Sequence, residues 1–600
     1  MRLPLTARAA VMAAAVALAL SACSGNSEAT TPTVAVASSV SDGSATVVEV
    51  NAFNTFNPNT AQGNTDINAK ISYATHSGFF YIDNKLNIVR NEKFGRMEKT
   101  SDNPLTVKYT INEGVKWSDG TPVTAADLLL QWAAFSGYYD DADPEAGTGT
   151  SYFSSAGDRT GAALTDFPEL GADNRSMTLK YSKPVADWEV AFGGPGIDVP
   201  AHVLATKSGL NDVDAFVELL KRSPRGASGA PKPANAQLRS IADMWNTGFD
   251  TKTLPADPML YLSNGPYIVR SVEPDRSLTM VRNKDYNWGP EPKLDEITVR
   301  YIGSAAAQVQ TLKNNDADII APQASAETMD QLTALQSQGV TKDVGNQLAY
   351  DHLDLNFTGP FAEKSVREAF LKTVPRREIV DKIVKGLDTD AAPPDSQVFL
   401  PDQAAYAGAV ADNGSSAYQD VDIDAAKRLL NGASPEVRIL YDRDNPNRVQ
   451  AYLLIRESAS RAGFRIVDGG LGASDWGRAL GGGTYDAAIF GWISAGVGVA
   501  GVPQVFKTGS DSNFNGFSDP DADRLMDELV TTTERSKQDA LLQQIDKKIW
   551  NSAYGLPLFR TVGVVAYGNS ITGVKFVPNQ TGVWWNFWEW DQVKTPAGAS

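Results

Sequence analysis

The sequence predicts an α/β protein that is divided into two or three lobes. The chain has 600 residues, which is too long for a single hydrophobic core. Its C-terminal half alternates strand-like and helix-like segments, as in sheets whose strands are joined by crossover helices. Its most informative stretch, residues 105–132, has the pattern of a strand, a turn and a capped helix. Together these observations favour several sheets with helices packed against them.

The N-terminal region is predicted to be a leader followed by a tether. Residues 1–22 combine a short basic start with an apolar run, which is too short for an ordinary membrane span and is typical of a secretory signal. The run ends in LSAC at residues 20–23, which resembles the lipobox of bacterial lipoprotein precursors and implies cleavage before Cys23 and acylation of Cys23. A simple signal peptide with an incidental cysteine is the alternative. Residues 23–46 are rich in Ser, Thr, Ala and Gly, and they predict a flexible tether.

Residues 105–132 contain three predicted elements in succession. The apolar residues of a half-buried strand alternate with polar ones; they are Leu105, Val107, Tyr109 and Ile111. The sequence SDG at residues 118–120 predicts a tight turn. Thr124 and Asp127 have the spacing of a capping box, and they predict a helix that continues through Trp132.

The C-terminal half gives four further element boundaries. Ser365 and Glu368 have the spacing of a second capping box. Residues 437–441 have the composition of a strand. Pro446 predicts the first turn of a helix that Gly463 ends, and Asp519-Pro520 predicts the start of another helix.

Charge and composition exclude several classes of function. The formal net charge of −17 argues against nucleic-acid binding, because that affinity comes largely from Lys and Arg on phosphates. Cys23 is the only cysteine of the chain, so neither an intramolecular disulfide nor a cysteine-based metal site is possible. The histidines, at positions 76, 202 and 352, are far apart in the sequence, and no metal or other cofactor is predicted.

Catalytic motifs are missing from the sequence. It contains no Walker A loop, no HExxH and no GxSxG elbow. KSG at residues 207–209 matches a fragment of a penicillin-binding motif, but a match of three residues arises easily by chance. The prediction is therefore that the protein is not an enzyme, with an extracellular hydrolase as the weakest alternative.

Four segments carry a resemblance to one protein family. Residues 115–128 read VKWSDGTPVTAADL, residues 263–269 read SNGPYIV, residues 281–288 read VRNKDYNW and residues 292–297 read PKLDEI. These segments resemble the family 5 extracellular solute-binding proteins, which take oligopeptides, dipeptides or nickel complexes to ABC importers. With the lipobox, the resemblance is to the actinobacterial lipoprotein branch of that family.

The resemblance implies a periplasmic-binding-protein-like type II fold, in which two lobes are joined by a hinge and an extra third domain is added. The implied boundaries are lobe I at residues 47–75, 187–303 and 555–600, domain II at residues 76–186, and lobe III at residues 304–554. Ligand would bind between lobes I and III, and hinge closure would follow from its contacts with both. The permease and its ATPase would be separate proteins.

The resemblance also implies which residues face the ligand. They are Asn57, in the first ligand-facing loop, Trp492 and Ser494 at the end of the strand that contains Gly491-Trp492, and Asn513. In dipeptide and oligopeptide binders an Asp that pairs with the ligand's ammonium group follows this strand. Here no carboxylate occurs between Trp492 and Asp511, and a buried ammonium without its counter-ion is costly. Trp492 as an ordinary core residue is the alternative interpretation.

The resulting functional prediction is a monomeric, lipid-anchored receptor on the outer face of the cell membrane. It would bind an oligopeptide in the interlobe cleft and deliver it to the permease of an ABC importer. One alternative is an importer receptor for a non-peptide solute. Another is a binding-protein-like lipoprotein that has left transport and regulates cell-envelope lipoglycan assembly.

Overall fold

The structure is a computed structural model that describes residues 43–143, 148–156, 160–194, 197–227, 229–472, 475–493, 497–510 and 512–593. Residues from Asp42 onward form one compact unit. The predicted leader, with Cys23, and most of the predicted tether lie outside the described residues. The first strand begins at Ser44, slightly before the first residue predicted to be ordered, Val47.

The described residues form eighteen strands, most of them short. In chain order they are β1 (Ser44–Glu49), β2 (Phe80–Ile82), β3 (Ile88–Arg90), β4 (Gly95–Asp102), β5 (Leu105–Ile111), β6 (Glu169–Leu170), β7 (Ser176–Lys180), β8 (Tyr267–Glu273), β9 (Ser277–Arg282), β10 (Glu296–Tyr301), β11 (Ile319–Ile320), β12 (Thr341–Leu355), β13 (Glu436–Tyr441), β14 (Arg465–Asp468), β15 (Ala487–Ile493), β16 (Gly555–Tyr567), β17 (Ile571–Thr572) and β18 (Asp591–Gln592).

The same residues form seventeen α-helices. In chain order they are α1 (Asp66–Thr75), α2 (Ala125–Ser136), α3 (Thr160–Ala163), α4 (Ala201–Lys207), α5 (Val213–Arg222), α6 (Ala236–Thr247), α7 (Ala305–Lys313), α8 (Ala326–Leu335), α9 (Lys364–Leu371), α10 (Arg376–Ile383), α11 (Tyr406–Val410), α12 (Ile423–Leu430), α13 (Pro446–Ala462), α14 (Trp476–Gly481), α15 (Gly501–Phe506), α16 (Pro520–Leu529) and α17 (Arg535–Asn551). Within this described part of the chain, no helix combines the length and the apolar character that a bilayer crossing requires.

The predicted strand, turn and capped helix are confirmed. In β5 the apolar residues are buried, and their polar neighbours are partly exposed. The Thr124 hydroxyl accepts the backbone N–H of Ala126 at 3.3 Å, and the Asp127 carboxylate accepts the backbone N–H of Thr124 at 2.7 Å. This capping box fixes the start of α2 at Ala125, because it satisfies backbone donors that the first helical turn leaves free.

Three of the four later boundary predictions are confirmed, and one is wrong. The strand at residues 437–441, the helix from Pro446 to Gly463 and the helix start at Pro520 occur as predicted. The predicted capping box at Ser365 does not occur, because α9 already begins at Lys364 and its N-cap residue makes no side-chain bond. The Arg367 guanidinium instead bonds the carbonyl of Phe361 at 2.6 Å and fixes the preceding turn.

One ten-stranded sheet runs through the molecule, in the order β14-β13-β15-β12-β16-β11-β1-β10-β9-β8. Strands β13, β14 and β15 are parallel, and β12 pairs antiparallel with both β15 and β16. A separate four-stranded sheet, β4-β5-β7-β6, lies in the region that was predicted to be domain II. The carboxyl ends of β13 and β15 therefore lie at one edge of the large sheet, where the end of β15 pairs with Ala349 in the middle of β12.

The hydrophobic side chains of the described residues form two large cores and two smaller clusters. The first core lies under β1 and β8–β10, includes the four-stranded sheet and α2, and buries Trp584 and Trp590 completely. The second core lies under β12, β13, β15 and β16 and their covering helices. A smaller cluster packs α15, α16 and α17 together on the side of the second core. The first core takes in residues of both the predicted lobe I and the predicted domain II. From here on, lobe I means the whole part built on this first core, with strands β1–β10, and lobe III means the part built on the second core and the cluster of α15, α16 and α17.

Two long strands lie at the centre of the ten-stranded sheet. Strands β12 and β16 pair along most of their lengths, and their register shifts between Asn346 and Tyr350. On the side nearer lobe I, Gly345 faces Gly563, and the Phe576 ring packs over both glycines. A Cβ atom at Gly345 would lie 2.7 Å from that ring, so the close packing requires glycine.

Candidate ligand-binding site

The edge of lobe III at which β13 and β15 end carries a set of aromatic and charged side chains. Trp492, near the end of β15, is paired across the sheet with Tyr350 of β12. The next pair along the same face joins Phe490 with His352. Ligands of open α/β sheets bind outside the carboxyl ends of the strands, so this edge is the candidate site.

The Trp492 ring is half-buried and stacked between aromatic neighbours. It lies nearly parallel to the Phe514 ring, at 10° and 5.7 Å between centroids, and contacts Phe490 edge to face. Its indole N–H is shielded from solvent, yet it has no hydrogen-bond partner among the described residues. Because a buried donor without a partner costs free energy, this N–H is suited to an acceptor that a ligand or water supplies.

A buried ion pair flanks Trp492 on the other face of the sheet. Arg448, in the first turn of α13, donates to both carboxylate oxygens of Asp351, at 3.0 and 3.2 Å. A Cβ atom at Gly491 would lie 2.4 Å from Asp351 Oδ1, which explains the glycine before Trp492. The Arg448 guanidinium also lies 5.4 Å from the centre of the Trp476 ring. The pair therefore fixes the edge of the sheet beside β15.

The charges at this edge of the sheet keep Arg448 protonated. Burial lowers the pKa of Arg448, but the Asp351 and Asp442 carboxylates together raise it more, so that its pKa lies above the ordinary value. Asp442, which follows β13 directly, has a pKa raised by burial, against the opposing effects of a backbone N–H and of Arg448. Asp442 is thus the acid at this edge that takes up a proton more readily than an ordinary aspartate.

A buried polar cluster lies beneath the aromatic face. His352 Nδ1 is 2.6 Å from Asp354 Oδ1, and the Tyr554 hydroxyl donates to the other oxygen of Asp354 at 3.0 Å. Burial raises the pKa of Tyr554 well above its ordinary value, so that the hydroxyl stays protonated as a donor. His352 Nε2 is buried and has no partner among the described residues. The cluster therefore adds a second unpartnered nitrogen to the same face as Trp492.

In lobe I, the first loop after β1 is held by its own polar side chains. The Asn57 amide donates to the carbonyl of Trp245 at 2.7 Å and accepts the backbone N–H of Asn59 at 3.2 Å. The Asn59 amide donates to Asp198 at 2.6 Å, and the Ser72 hydroxyl also donates to Asp198. This network gives the loop a fixed shape.

A buried histidine completes that network. His76 Nδ1 lies 3.6 Å from Asp198 Oδ1. Burial raises the pKa of Asp198 and lowers the pKa of His76, and in each case the partner opposes the shift. A cavity of about 10 Å³ adjoins Asn59 and Asp198, and a second cavity of about 30 Å³ lies among aromatic residues that include Tyr81 and Trp588.

The structure places the four predicted ligand residues in different settings. Trp492 lies at the lobe III edge, where it also packs against a small apolar cluster, and Ser494 is outside the described residues. Asn513 precedes Phe514, and its amide bonds the carbonyls of Lys507 and Phe517 and the N–H of Phe517. Asn57 lies in lobe I and bonds backbone groups there. Trp492 and Asn513 are thus near one another, while Asn57 belongs to the opposite lobe.

Sequence reasoning did not single out Asp351, Arg448 or Trp476. Their grouping depends on the pairing of β12 with β15 and on the start of α13, which places Arg448 above Asp351. The helix start at Pro446 was predicted. It was the sequence signal that could have placed Arg448 close to the carboxyl end of β13. No group of His, Cys, Asp and Glu that could hold a metal ion occurs among the described residues.

The chain is similar to known bacterial solute-binding proteins. The family described as "Bacterial extracellular solute-binding proteins, family 5 Middle" matches residues 92–514. The oligopeptide-binding protein OppA of Mycobacterium tuberculosis is 26% identical over 491 residues, which cover 80% of this chain and 73% of OppA. An uncharacterized lipoprotein of Mycobacterium leprae is 25% identical over 593 residues, which cover 96% of each chain.

Solved structures show the same fold. The periplasmic EDTA-binding protein EppA superposes with a TM-score of 0.74 at 22% identity, covering 92% of this chain and 97% of EppA. AppA from Bacillus subtilis, solved in complex with a nonapeptide, gives a TM-score of 0.70 at 18% identity, covering 92% and 99% of the two chains. The predicted type II fold is therefore confirmed, and both fold and family are those of binding proteins. The chain belongs to the bacterial extracellular solute-binding proteins of family 5.

Proposed function

We propose that this protein is a lipid-anchored receptor of an ABC importer, and that it binds an oligopeptide between lobes I and III. The observation that carries the proposal is the unpartnered indole N–H of Trp492 on a stacked aromatic pair at the carboxyl edge of lobe III. A peptide carbonyl is an acceptor that suits such a donor, and the Trp492–Phe514 pair offers apolar surface to a ligand side chain. The relatives named as oligopeptide-binding proteins support the same class of solute.

The other predicted ligand residues take supporting roles in this proposal. Asn57 and Asn513 would act by fixing the two loops that border the ligand, since their amides are bonded to the protein backbone. Ser494, two residues beyond Trp492, would contact the ligand directly. Arg448 and Asp351 would hold the edge of the sheet rigid beneath the ligand.

Native mass spectrometry of the protein purified from its own host tests the class of solute. We expect a mixture of short peptides to co-purify with the protein and to be detected in complex with it. A single non-peptide ligand would redirect the proposal to another solute of an importer. A protein that carries nothing and ignores a peptide library would favour the non-transport lipoprotein.

The role of Trp492 is tested by two variants. Trp492→Phe removes the N–H and keeps an aromatic ring, and we expect it to weaken peptide binding by roughly 5–10-fold, the value of about one hydrogen bond. Trp492→Ala removes the ring as well and should weaken binding further. Leu453→Ala, an exposed position on α13, is the control and should leave affinity unchanged. Equal affinities for all the variants and the parent would contradict the assignment.

The proposed anchor is tested at Cys23. We expect mass spectrometry of the mature N-terminal peptide to show acylated Cys23, because two or more acyl chains anchor a protein stably. Cys23→Ala should release the protein from the membrane fraction into the medium. A variant that stays in the membrane fraction would show that another feature holds the protein there.

A further inference from the structure

Two chain segments from opposite lobes are joined by direct hydrogen bonds. One segment follows β7 and contains Ala186 and Asp187, and the other follows β15. Asp187 Oδ2 accepts the backbone N–H of Val499 at 2.7 Å and of Ala500 at 2.9 Å. The backbone N–H of Ala186 donates to the carbonyl of Val530 at 2.8 Å. The chain does not cross between the lobes at this place, so these bonds hold the lobes together without a covalent link.

Burial shows that the first segment belongs to both lobes. Val185 is buried in the core of lobe I, and Phe192 is buried in the same core. Ala186, the next residue after Val185, packs instead against the cluster that α15, α16 and α17 form in lobe III. Neighbouring residues thus contribute to two different cores, so that the segment spans the space between the lobes.

The lobe III segment is shaped to receive the carboxylate. Gly498 has φ +88°, a backbone conformation that side chains other than glycine rarely adopt. A Cβ atom at Gly498 would lie 2.6 Å from Asp187 Oδ2. Glycine is therefore required twice at this position, once for the turn and once for the approach of Asp187.

We propose that Asp187 and the backbone of residues 498–500 form an interlobe latch that favours the closed arrangement of the lobes before any solute binds. Its bonds join protein groups only, so the latch acts whichever solute the cleft takes and does not depend on the peptide proposal. A protein that is already partly closed spends less binding free energy on closure, and its affinity for solute rises by the same factor as its closed population. Asp187 is thus a positioning residue that acts through the backbone following β15.

The latch is tested by the distance between the lobes. The chain from Asp42 onward forms one compact unit and lacks the only cysteine, so spin labels can be attached at Lys221→Cys in lobe I and Lys427→Cys in lobe III, both exposed. We expect double electron–electron resonance without solute to show one main distance. In Asp187→Ala, the population at longer distance should rise roughly tenfold, because two charge-assisted hydrogen bonds are lost.

Glu189→Ala is the matched control. Glu189 lies two residues further along the same segment and pairs with Arg90 on the lobe I side. The Glu189→Ala variant loses the same charge as Asp187→Ala but no contact with lobe III. Its distance distribution should therefore match that of the parent. An unchanged distribution in Asp187→Ala, or an equal change in Glu189→Ala, would overturn the latch.

Two further variants test the latch by other changes to the same contact. Gly498→Ala should open the lobes as Asp187→Ala does, because the added methyl group displaces the carboxylate. Asp187→Asn keeps one acceptor oxygen and should give an intermediate population, which tests the latch even if Asp187→Ala does not fold. A Gly498→Ala protein with the parent distribution would contradict the proposal.

Discussion

The first loop of lobe I and the sheet edge of lobe III differ in how their buried polar groups are bonded. In lobe I, Asn57 donates to the carbonyl of Trp245 and accepts the backbone N–H of Asn59. Asp198 accepts from the Asn59 amide and from the Ser72 hydroxyl. In lobe III, the rings of Trp492 and His352 are packed, but the Trp492 N–H and His352 Nε2 have no partner among the described residues. His76 Nε2 in lobe I also lacks a partner among the described residues, so the two regions differ in how many of their buried polar groups are bonded and not in kind.

The first loop of lobe I is therefore largely preformed. The sheet edge of lobe III is receptive, in the sense that it has buried polar groups that can still bond a ligand. Side chains that are fully bonded hold their positions without a ligand, and removing one of them costs stability. Buried groups without partners contribute little to stability, and they gain most when a ligand or an ordered water supplies the missing bond. Lobe III nevertheless needs a rigid edge to present such groups, and the ion pair between Arg448 and Asp351 provides it.

The largest expected effect follows from breaking that ion pair. Arg448→Met leaves the Asp351 carboxylate buried without its cation, and we expect the free energy of unfolding to fall by about 3–5 kcal/mol. Chemical denaturation followed by fluorescence measures this change.

The double variant Arg448→Met with Asp351→Leu is the control, because it removes both charges and leaves no buried carboxylate. It should recover most of the lost stability. A single variant that costs less than about 1 kcal/mol would show that the pair is not what holds the edge.

The next effect distinguishes the buried acids of the two lobes. Asp198 in lobe I has His76 beside it, whereas Asp546 in lobe III accepts from neutral donors, the backbone N–H of Gln397 and the amide of Asn413, both at close range. Burial raises the pKa of Asp546 from 3.8 to about 6. The folded state therefore binds a proton that the unfolded state releases between these values, so this group adds stability as the pH falls through 6 towards 4.

Asp546→Asn removes this dependence, because the amide resembles the protonated acid. Between pH 7.5 and pH 4.5, the stability of the parent should rise relative to that of the variant by about 2 kcal/mol. Thermal unfolding over this pH range measures the change. Asp420→Asn, at an exposed acid, should give a nearly flat difference. A flat difference for Asp546→Asn as well would mean that the acid stays ionised at pH 4.5.

Much of the fold was predictable because its signals are local. The alternation in β5 and the capping box at Thr124 depend on residues a few positions apart, and both occur as predicted. The predicted capping box at Ser365 failed although its spacing is correct, because Arg367 fixes the preceding turn and α9 starts before Ser365. A local capping pattern is therefore reliable only where no side-chain contact with residues before the helix decides where the helix starts.

The candidate site was less predictable because it is assembled from distant segments. Trp492 could be placed at the site by resemblance, but its stacking on Phe514 and its free N–H are visible only in the structure. Asp351 and Arg448 are 97 residues apart in the sequence. Asp187 and Val499 are 312 residues apart, and no periodicity connects them.

A smaller effect tests the bonded polar groups in the first loop of lobe I. Asn57→Ala removes the amide that bonds the buried carbonyl of Trp245 and the partly buried N–H of Asn59, so both backbone groups lose a partner. We expect the free energy of unfolding to fall by about 1–3 kcal/mol. Calorimetric unfolding measures it, with Asn64→Ala, at an exposed position further along the same loop, as the control. An equal loss for both variants would remove the distinction between a bonded and an unbonded asparagine.

The smallest expected effect on stability sharpens the comparison most, because it sets two tryptophans against each other. The Trp132 N–H donates to the Thr165 hydroxyl at 2.7 Å in lobe I, whereas the Trp492 N–H in lobe III has no partner among the described residues. Trp132→Phe therefore breaks a buried hydrogen bond and should cost about 1–3 kcal/mol, while Trp492→Phe should cost less than about 1 kcal/mol. Thermal unfolding of the two variants in parallel, without solute, gives the ratio. If Trp492→Phe proved the more destabilising, its N–H would already be bonded in the free protein, and the receptive character of the lobe III edge would rest on its aromatic surface alone.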